Sequence, residues 1–260
     1  HKNKITTYYY ISPKIWAWKK GRINKIRKYV NRMFVIFPFE KEYYKDFNFE
    51  VEYYGNPVFE NIEGKKFSFD YRKKPIISLF PGSRKQEVSL VLPVMLEVVK
   101  FFPSYNFVIS ATNSFNIDFY NKFINGYENV DVIYDKSLEI LSISKAALVT
   151  SGTATLETAL MNVPQIVCYK TSNLSYLIAK YLVQIKYISL VNILLGKESV
   201  VELIQSKLTV ENLRKNLAHI LKDQNIKEIQ YDYKTLKSIL STRQKVSKAI
   251  AKEILSIKNP

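Results

Sequence analysis

A chain of 260 residues with 47% hydrophobic and 14% aromatic side chains can bury one large core or two modest ones and is too apolar to be disordered. No run nears the roughly 18 uninterrupted apolar residues of a membrane-spanning helix. The single cysteine, Cys168, and two histidines, His1 and His219, exclude an intramolecular disulfide, a zinc cluster and a histidine-based triad within this sequence, while the formal charge of +16 suits an anionic neighbour: nucleic acid, a phosphorylated ligand or an acidic lipid surface.

The chain opens on HKNKITTYYYIS, almost inside a strand-like run and with neither an initiator Met nor a signal-peptide core, and reads as part of a longer protein. A strand at TTYYYI, a basic helix near Gly21–Asn31, a strand at MFVIF, a short helix after Pro38 and a strand at VEYYG follow. Residues 1–57 are therefore read as the end of one α/β domain, too small to close a core alone. Basic residues crowd this stretch, since every charged side chain from Lys2 to Arg32 is Lys or Arg and the first acid is Glu40. The segment NPVFENIEGKKFSFDYRKKP, with Asn56-Pro57 and Gly64, reads as an interdomain connection.

From Pro75 the pattern becomes regular. Strands are expected at IISLF, NFVIS, VDVIY, AALVT, QIVCY and YISL. Between and after them, helices fit Arg84–Phe102, Phe115–Asn125, Ser137–Ser144, Thr153–Asn162, Leu174–Ile185 and Glu198–Gln205. Short apolar strands alternating with crossover helices predict a doubly wound parallel sheet, Rossmann-like, covered on both faces. The tail from Thr209 is helical with Leu213, Leu217, Ile220 and Leu221 on one stripe, and a last helix is expected over Leu236–Ile257. Residues 58–235 are read as the ligand-binding domain, and 236–260 as a C-terminal helix that returns to the first domain.

Chemistry is concentrated at three turns. In FPGSRKQEV, Pro81-Gly82 turns the chain after a strand, Ser83 with Gln86 fits a capping box, and Arg84 adds a bidentate cation. A phosphate or sugar-phosphate site is expected there, against simple N-capping. In VTSGTATLE, Gly152 lets backbone approach a ligand, Ser151, Thr153 and Thr155 offer hydroxyls at a helix start, and Glu157 can accept from sugar hydroxyls or merely favour the helix dipole. In SLVNILLGKESVVELIQ, Asn192 follows a strand, Gly196 breaks the chain, and Glu198 and Glu202 fall at i,i+4 on a helix. Neither a P-loop nor G-x-G-x-x-G is present, so ATP hydrolysis and nicotinamide chemistry lack their signatures.

Six motifs in register, SPKIWAWKKGR, FPFEKEYY, YGNPV, LFPGSRKQEV, TSGTATLE and YISLVNILLGKE, resemble those of lipid-A-disaccharide synthases from about Tyr8 to Gln205. The resemblance implies a GT-B fold, two Rossmann-like domains facing a cleft. It also implies an inverting transfer of 2,3-diacylglucosamine from its UDP conjugate to 2,3-diacylglucosamine 1-phosphate, with UDP released. It places Gly82, Ser83, Arg84, Ser151, Gly152, Thr153, Thr155, Glu157 and Asn192 on the UDP side. No cofactor and no metal ion are expected.

The resemblance implies that the general base is an aspartate in the N-terminal acceptor domain, ahead of the SPKIWAW motif. None of the eleven residues before Ser12 is acidic, so the base is unassigned and this stretch of chain is expected to bind UDP without turnover. Trp16, Trp18, Lys19, Lys20 and Arg22 are expected at an anionic membrane surface or between domains. Such a protein would be cytoplasmic and peripheral to the inner membrane of a Gram-negative-type bacterium. The competing readings are a UDP-N-acetylglucosamine epimerase or other UDP-sugar enzyme, a basic nucleic-acid-binding module, and a noncatalytic membrane-surface scaffold. Against the second, no RRM, HTH or zinc-finger signature is present.

Overall fold

The computed structural model describes residues 5–71, 75–172, 186–242 and 244–256. The chain divides into two compact units: one holds the described residues up to Glu63 and those from Lys237, the other the described residues between Gly64 and Leu236.

In the first unit, β1 (Tyr8–Tyr10), β2 (Arg32–Val35) and β3 (Glu52–Tyr53) form a parallel sheet in that order. Helix α1 (Ile23–Tyr29) buries Ile23 and Ile26 one turn apart, and α2 (Phe39–Lys45) buries Tyr44. These close over Met33, Val35 and Val51. Asn56-Pro57, expected to begin a linker, instead begins α3 (Pro57–Ile62): the Asn56 side chain accepts from Val58 N and Phe59 N, with Pro57 in the first turn.

The second unit carries a six-stranded sheet, all parallel, in the order β6-β5-β4-β7-β8-β9. Its strands are β4 (Ile76–Phe80), β5 (Asn106–Ala111), β6 (Val130–Tyr134), β7 (Ser144–Thr150), β8 (Gln165–Tyr169) and β9 (Val201–Ile204). Alternate residues of the central strands pack on opposite faces. Ile77, Leu79, Ala146 and Leu148 meet the buried side of α4 (Lys85–Glu97), whereas Phe80, Ala147 and Val149 pack with Leu141 of α6 (Ser137–Ser142). Burial on both faces is why these strands read as continuous apolar runs. Further helices of this unit are α5 (Ile117–Ile124), α7 (Thr153–Leu160), α8 (Leu190–Leu195) and α9 (Val210–Ile220).

Three expectations are corrected. YISL is no strand: Ser189 accepts from Asn192 N and caps α8. The sixth strand is VELI, inside the stretch expected to be the helix Glu198–Gln205; Val201 pairs with Ile166 and Ile204 with Tyr169, so Glu198 and Glu202 do not share a helix face. A short apolar run has no period long enough to separate strand from helix, and the β-branched pair Val200-Val201 was the better guide. The expected last helix is two, α10 (Asp223–Leu240) and α11 (Val246–Ser256). The chain breaks after Leu240 at Ser241-Thr242, where the Thr242 hydroxyl bonds to the Gln244 carbonyl and so competes with helical bonding. The helix expected over Leu174–Ile185, and Ile257, lie outside the described residues.

Candidate functional site

Strand order in the second unit reverses between β4 and β7: the chain winds one way from β4 to β5 and β6, then returns to lay β7, β8 and β9 on the other side. Crossovers that diverge from neighbouring strands leave a crevice at the strands' carboxyl ends. A cavity of about 320 Å³ lies there. Phe80, Gly82, Ser83 and Glu87 form one wall after β4, and Thr150, Ser151, Gly152, Thr153, Ala154 and Glu157 form another after β7. Ser110 and Thr112 at the end of β5, with Ser137 opening α6, complete it.

Three helices begin at this cavity, α4, α6 and α7, and none has its N-cap side chain on its N-terminal amides. By contrast, α5, α8 and α9 are capped by Asn116, Ser189 and Thr209. Uncapped N-termini carry unmet N–H donors and the positive end of the helix dipole, the physical requirements of an anion site. Gly152, the residue before α7, has φ 151° and ψ −158°, a region open essentially to glycine alone. Thr150 is buried, and its hydroxyl has no hydrogen-bond partner among the described residues. The half-buried Glu157 carboxyl has no salt bridge among the described residues, and burial raises it above the ordinary carboxylate range.

Of the residues expected from sequence, Gly82, Ser83, Ser151, Gly152, Thr153 and Glu157 are brought together on the cavity wall. Arg84 is placed differently. It is the N-cap residue of α4, its side chain is 81% exposed, and Nη1 donates to Glu87 Oε1 at 3.0 Å. Because α4 starts one residue later than expected, the Ser83–Gln86 capping box is not made. Two residues are corrected outright. The Thr155 hydroxyl turns back to the Gly152 carbonyl at 2.8 Å, inside the helix rather than toward the cavity. Asn192 is fully buried: its amide donates to Val200 O and Glu202 and accepts from Ser199 N and Val200 N, which leaves it no capacity for a ligand.

Glu87, Ser110, Thr112, Ser137 and Thr150 escaped the sequence reading. The signal was present for some of them, since the carboxyl-end rule applied to AALVT applies equally to NFVISAT and reaches Ser110 and Thr112. Glu87 gives none; it reaches the wall because Gly82, with φ 108°, lets its carboxylate lie where a Cβ would stand 2.8 Å from Oε2. No group of three or more His, Cys, Asp or Glu that could hold a metal ion occurs among the described residues.

In the first unit, Trp16 is a core residue, 8% exposed. Its Nε1 donates to the buried Glu40 at 3.1 Å and its ring meets Phe39 edge-on, both within the first unit. Glu40 also accepts from the Ser12 hydroxyl and from Ile36 N and Phe37 N. Trp18 is 42% exposed, with Lys19 Nζ 4.3 Å and the Arg22 guanidinium 5.5 Å from its ring centre, while Lys20 lies exposed in the same turn.

Residues 1–255 match the family described as lipid-A-disaccharide synthetase. The chain belongs to this family. Among its relatives, the lipid-A-disaccharide synthase of Coxiella burnetii (strain CbuK_Q154) is 34% identical over 236 residues, 86% of this chain and 62% of that protein. The synthase of Syntrophus aciditrophicus (strain SB) is 37% identical over 233 residues, 85% and 61% of the two chains. The chain thus spans about three fifths of the length of these synthases. Its fold is that of solved sugar-nucleotide enzymes of GT-B type. The S. aureus MnaA-UDP co-structure gives a TM-score of 0.60 at 10% identity, covering 89% of this chain and 61% of that one. A UDP-GlcNAc 2-epimerase from Neisseria meningitidis bound to UDP-GlcNAc gives 0.56 at 16%, covering 88% and 62%. At such identity the likeness is of fold alone, and the synthetase family assignment rests on the sequence relatives.

Proposed function

We propose that the second unit binds the UDP portion of a sugar nucleotide, and that the protein to which this chain belongs is a lipid-A-disaccharide synthase. It would transfer 2,3-diacylglucosamine from its UDP conjugate to 2,3-diacylglucosamine 1-phosphate. The observation that carries the reading is the cavity at the switch point, where the uncapped N-termini of α4 and α7 meet an acid with no salt bridge among the described residues. UDP and UDP-GlcNAc in the two fold relatives point the same way.

As the glycosidic bond breaks, charge develops on the β-phosphate. Amides of the α4 and α7 N-termini and the Thr150 hydroxyl can stabilise it without reorganising, with Arg84 joining by leaving Glu87. No metal ion is required in this scheme. Glu157 accepts from ribose hydroxyls. The acceptor's 6-hydroxyl needs a base within hydrogen-bond reach, and no described residue is assigned to it. The protein would act at the cytoplasmic face of the inner membrane, held through Trp18, Lys19, Lys20 and Arg22; among the described residues no helix is long and apolar enough to cross a membrane.

Calorimetry with UDP tests the site. The native chain binds, and Glu157→Ala weakens binding about tenfold or more, the scale of one lost charge-assisted hydrogen bond; equal affinity for both would refute the placement. In the protein at full length, equal use of acylated and unacylated UDP-glucosamine would favour another UDP-sugar enzyme.

A further inference from the structure

The loop ahead of α8 and the turn ahead of α7 are joined through one peptide group. The peptide between Ile188 and Ser189 is a rigid plane whose carbonyl and N–H point in opposite directions. Its carbonyl accepts from the Ser151 hydroxyl at 2.8 Å, and its N–H donates to Glu202 Oε1 at 2.9 Å. The preceding N–H, of Ile188, donates to the other oxygen, Oε2, at 2.9 Å. Glu202 lies on the edge strand β9 and is not among the cavity residues. It is itself held by the Asn192 amide at 2.9 Å, which is locked in turn by Ser199 and Val200.

We propose that Glu202 is a positioning residue for the cavity: it fixes the Ile188–Ser189 peptide so that its carbonyl holds Ser151, and thereby sets the turn from which α7 starts. The proposal rests on the nucleotide reading of that cavity. A peptide clamped by a carboxylate at one end and a hydroxyl at the other cannot rotate without losing both bonds, and the charge on Glu202 polarises the whole chain of donors. With its proton committed to Ile188, Ser151 offers the ligand an acceptor and not a donor, which suits a ribose hydroxyl rather than a phosphate oxygen. Glu202→Gln keeps the shape but turns an NH₂ toward one of the donors, leaving it unmet and the peptide free to rotate.

The test combines amide hydrogen exchange on the ligand-free chain with calorimetry using UDP. Glu202→Gln is expected to speed exchange about tenfold in residues 150–156 as well as 186–195, and to weaken UDP about tenfold, the effect of one buried donor left unmet. Strands β4 and β5 keep their protection. The double variant with Ser151→Ala should bind UDP no worse than the weaker single variant, because both cut one connection. Unchanged exchange in residues 150–156, or affinity losses that multiply, would overturn the proposal. Should Glu202→Gln fail to fold, Ser151→Ala alone must loosen 150–156 while 199–201 stay protected; no loosening overturns it equally. If the native chain does not bind UDP, the nucleotide reading falls, and the exchange experiment still decides the positioning role.

Discussion

Gly152 and Glu157 lie one helical turn and a half apart and show how much rests on single residues. An added Cβ at Gly152 would meet nothing within 4 Å, yet its φ of 151° is closed to other residues. Gly152→Ala should therefore cost about 1–3 kcal/mol through backbone strain alone, read by urea unfolding, and should weaken UDP; an unchanged midpoint would show that the turn tolerates a side chain. Burial raises the Glu157 carboxyl, so in the window between its unfolded and folded pKa values the folded protein holds more protons, and stability falls as pH rises. Glu157→Gln should be more stable than the native chain at neutral pH by about 0.5–2 kcal/mol, and the gap should close toward about pH 4. UDP affinity should drop in the same variant; a gap independent of pH would mean that the acid is not buried as described. At this scale the sequence revealed Gly152 and Glu157 because their residue types are out of place in an apolar turn. It misled at Asn192 and Thr155, whose polar groups are consumed by neighbours that only the folded chain brings near.

Among the elements, central strands buried on both faces were legible almost to the residue, because a continuous apolar run between turns has few other uses: β4 and β8 coincide with IISLF and QIVCY. Edge strand β6, half-buried along most of its length, coincides with VDVIY all the same, whereas edge strand β9 was missed because Glu202 follows Glu198 by four residues, a spacing that imitates a helix face. The C-terminal break was missed for a different reason: α11 starts where its first turn finds an acceptor far away in sequence. Glu60, on α3, accepts from the Ser247 N–H at 3.1 Å and its hydroxyl at 3.0 Å. At the other end Glu253 meets Arg32 at 3.0 Å, and Val246 and Ile250 pack on Phe34. Glu60→Ala removes a helix cap and should cost about 0.5–2 kcal/mol locally. Hydrogen exchange should rise across 246–256 with β4 to β8 unaffected, and uniform loosening would argue against a local cap.

Over the whole molecule, family and fold class could be read from motifs in register, whereas the fate of the +16 charge could not, because a solvated face and a binding face have the same composition. The structure separates the two tryptophans: Trp16 is sealed against Glu40 and Phe39, and Trp18 stands exposed among cations. An interfacial aromatic flanked by Lys19, Lys20 and Arg22 is suited to an anionic lipid surface, where each basic residue contributes about 1 kcal/mol. Vesicles containing phosphatidylglycerol should therefore shift the chain's tryptophan emission to the blue, and Trp18→Phe should abolish the shift, Trp16 being buried already. Replacing Lys19, Lys20 and Arg22 together by Ala should weaken binding by about 3 kcal/mol, roughly a hundredfold, and raised salt should weaken the native chain similarly. Equal binding to neutral phosphatidylcholine vesicles, or a triple variant that binds as the native chain does, would mean that these cations are only solvated.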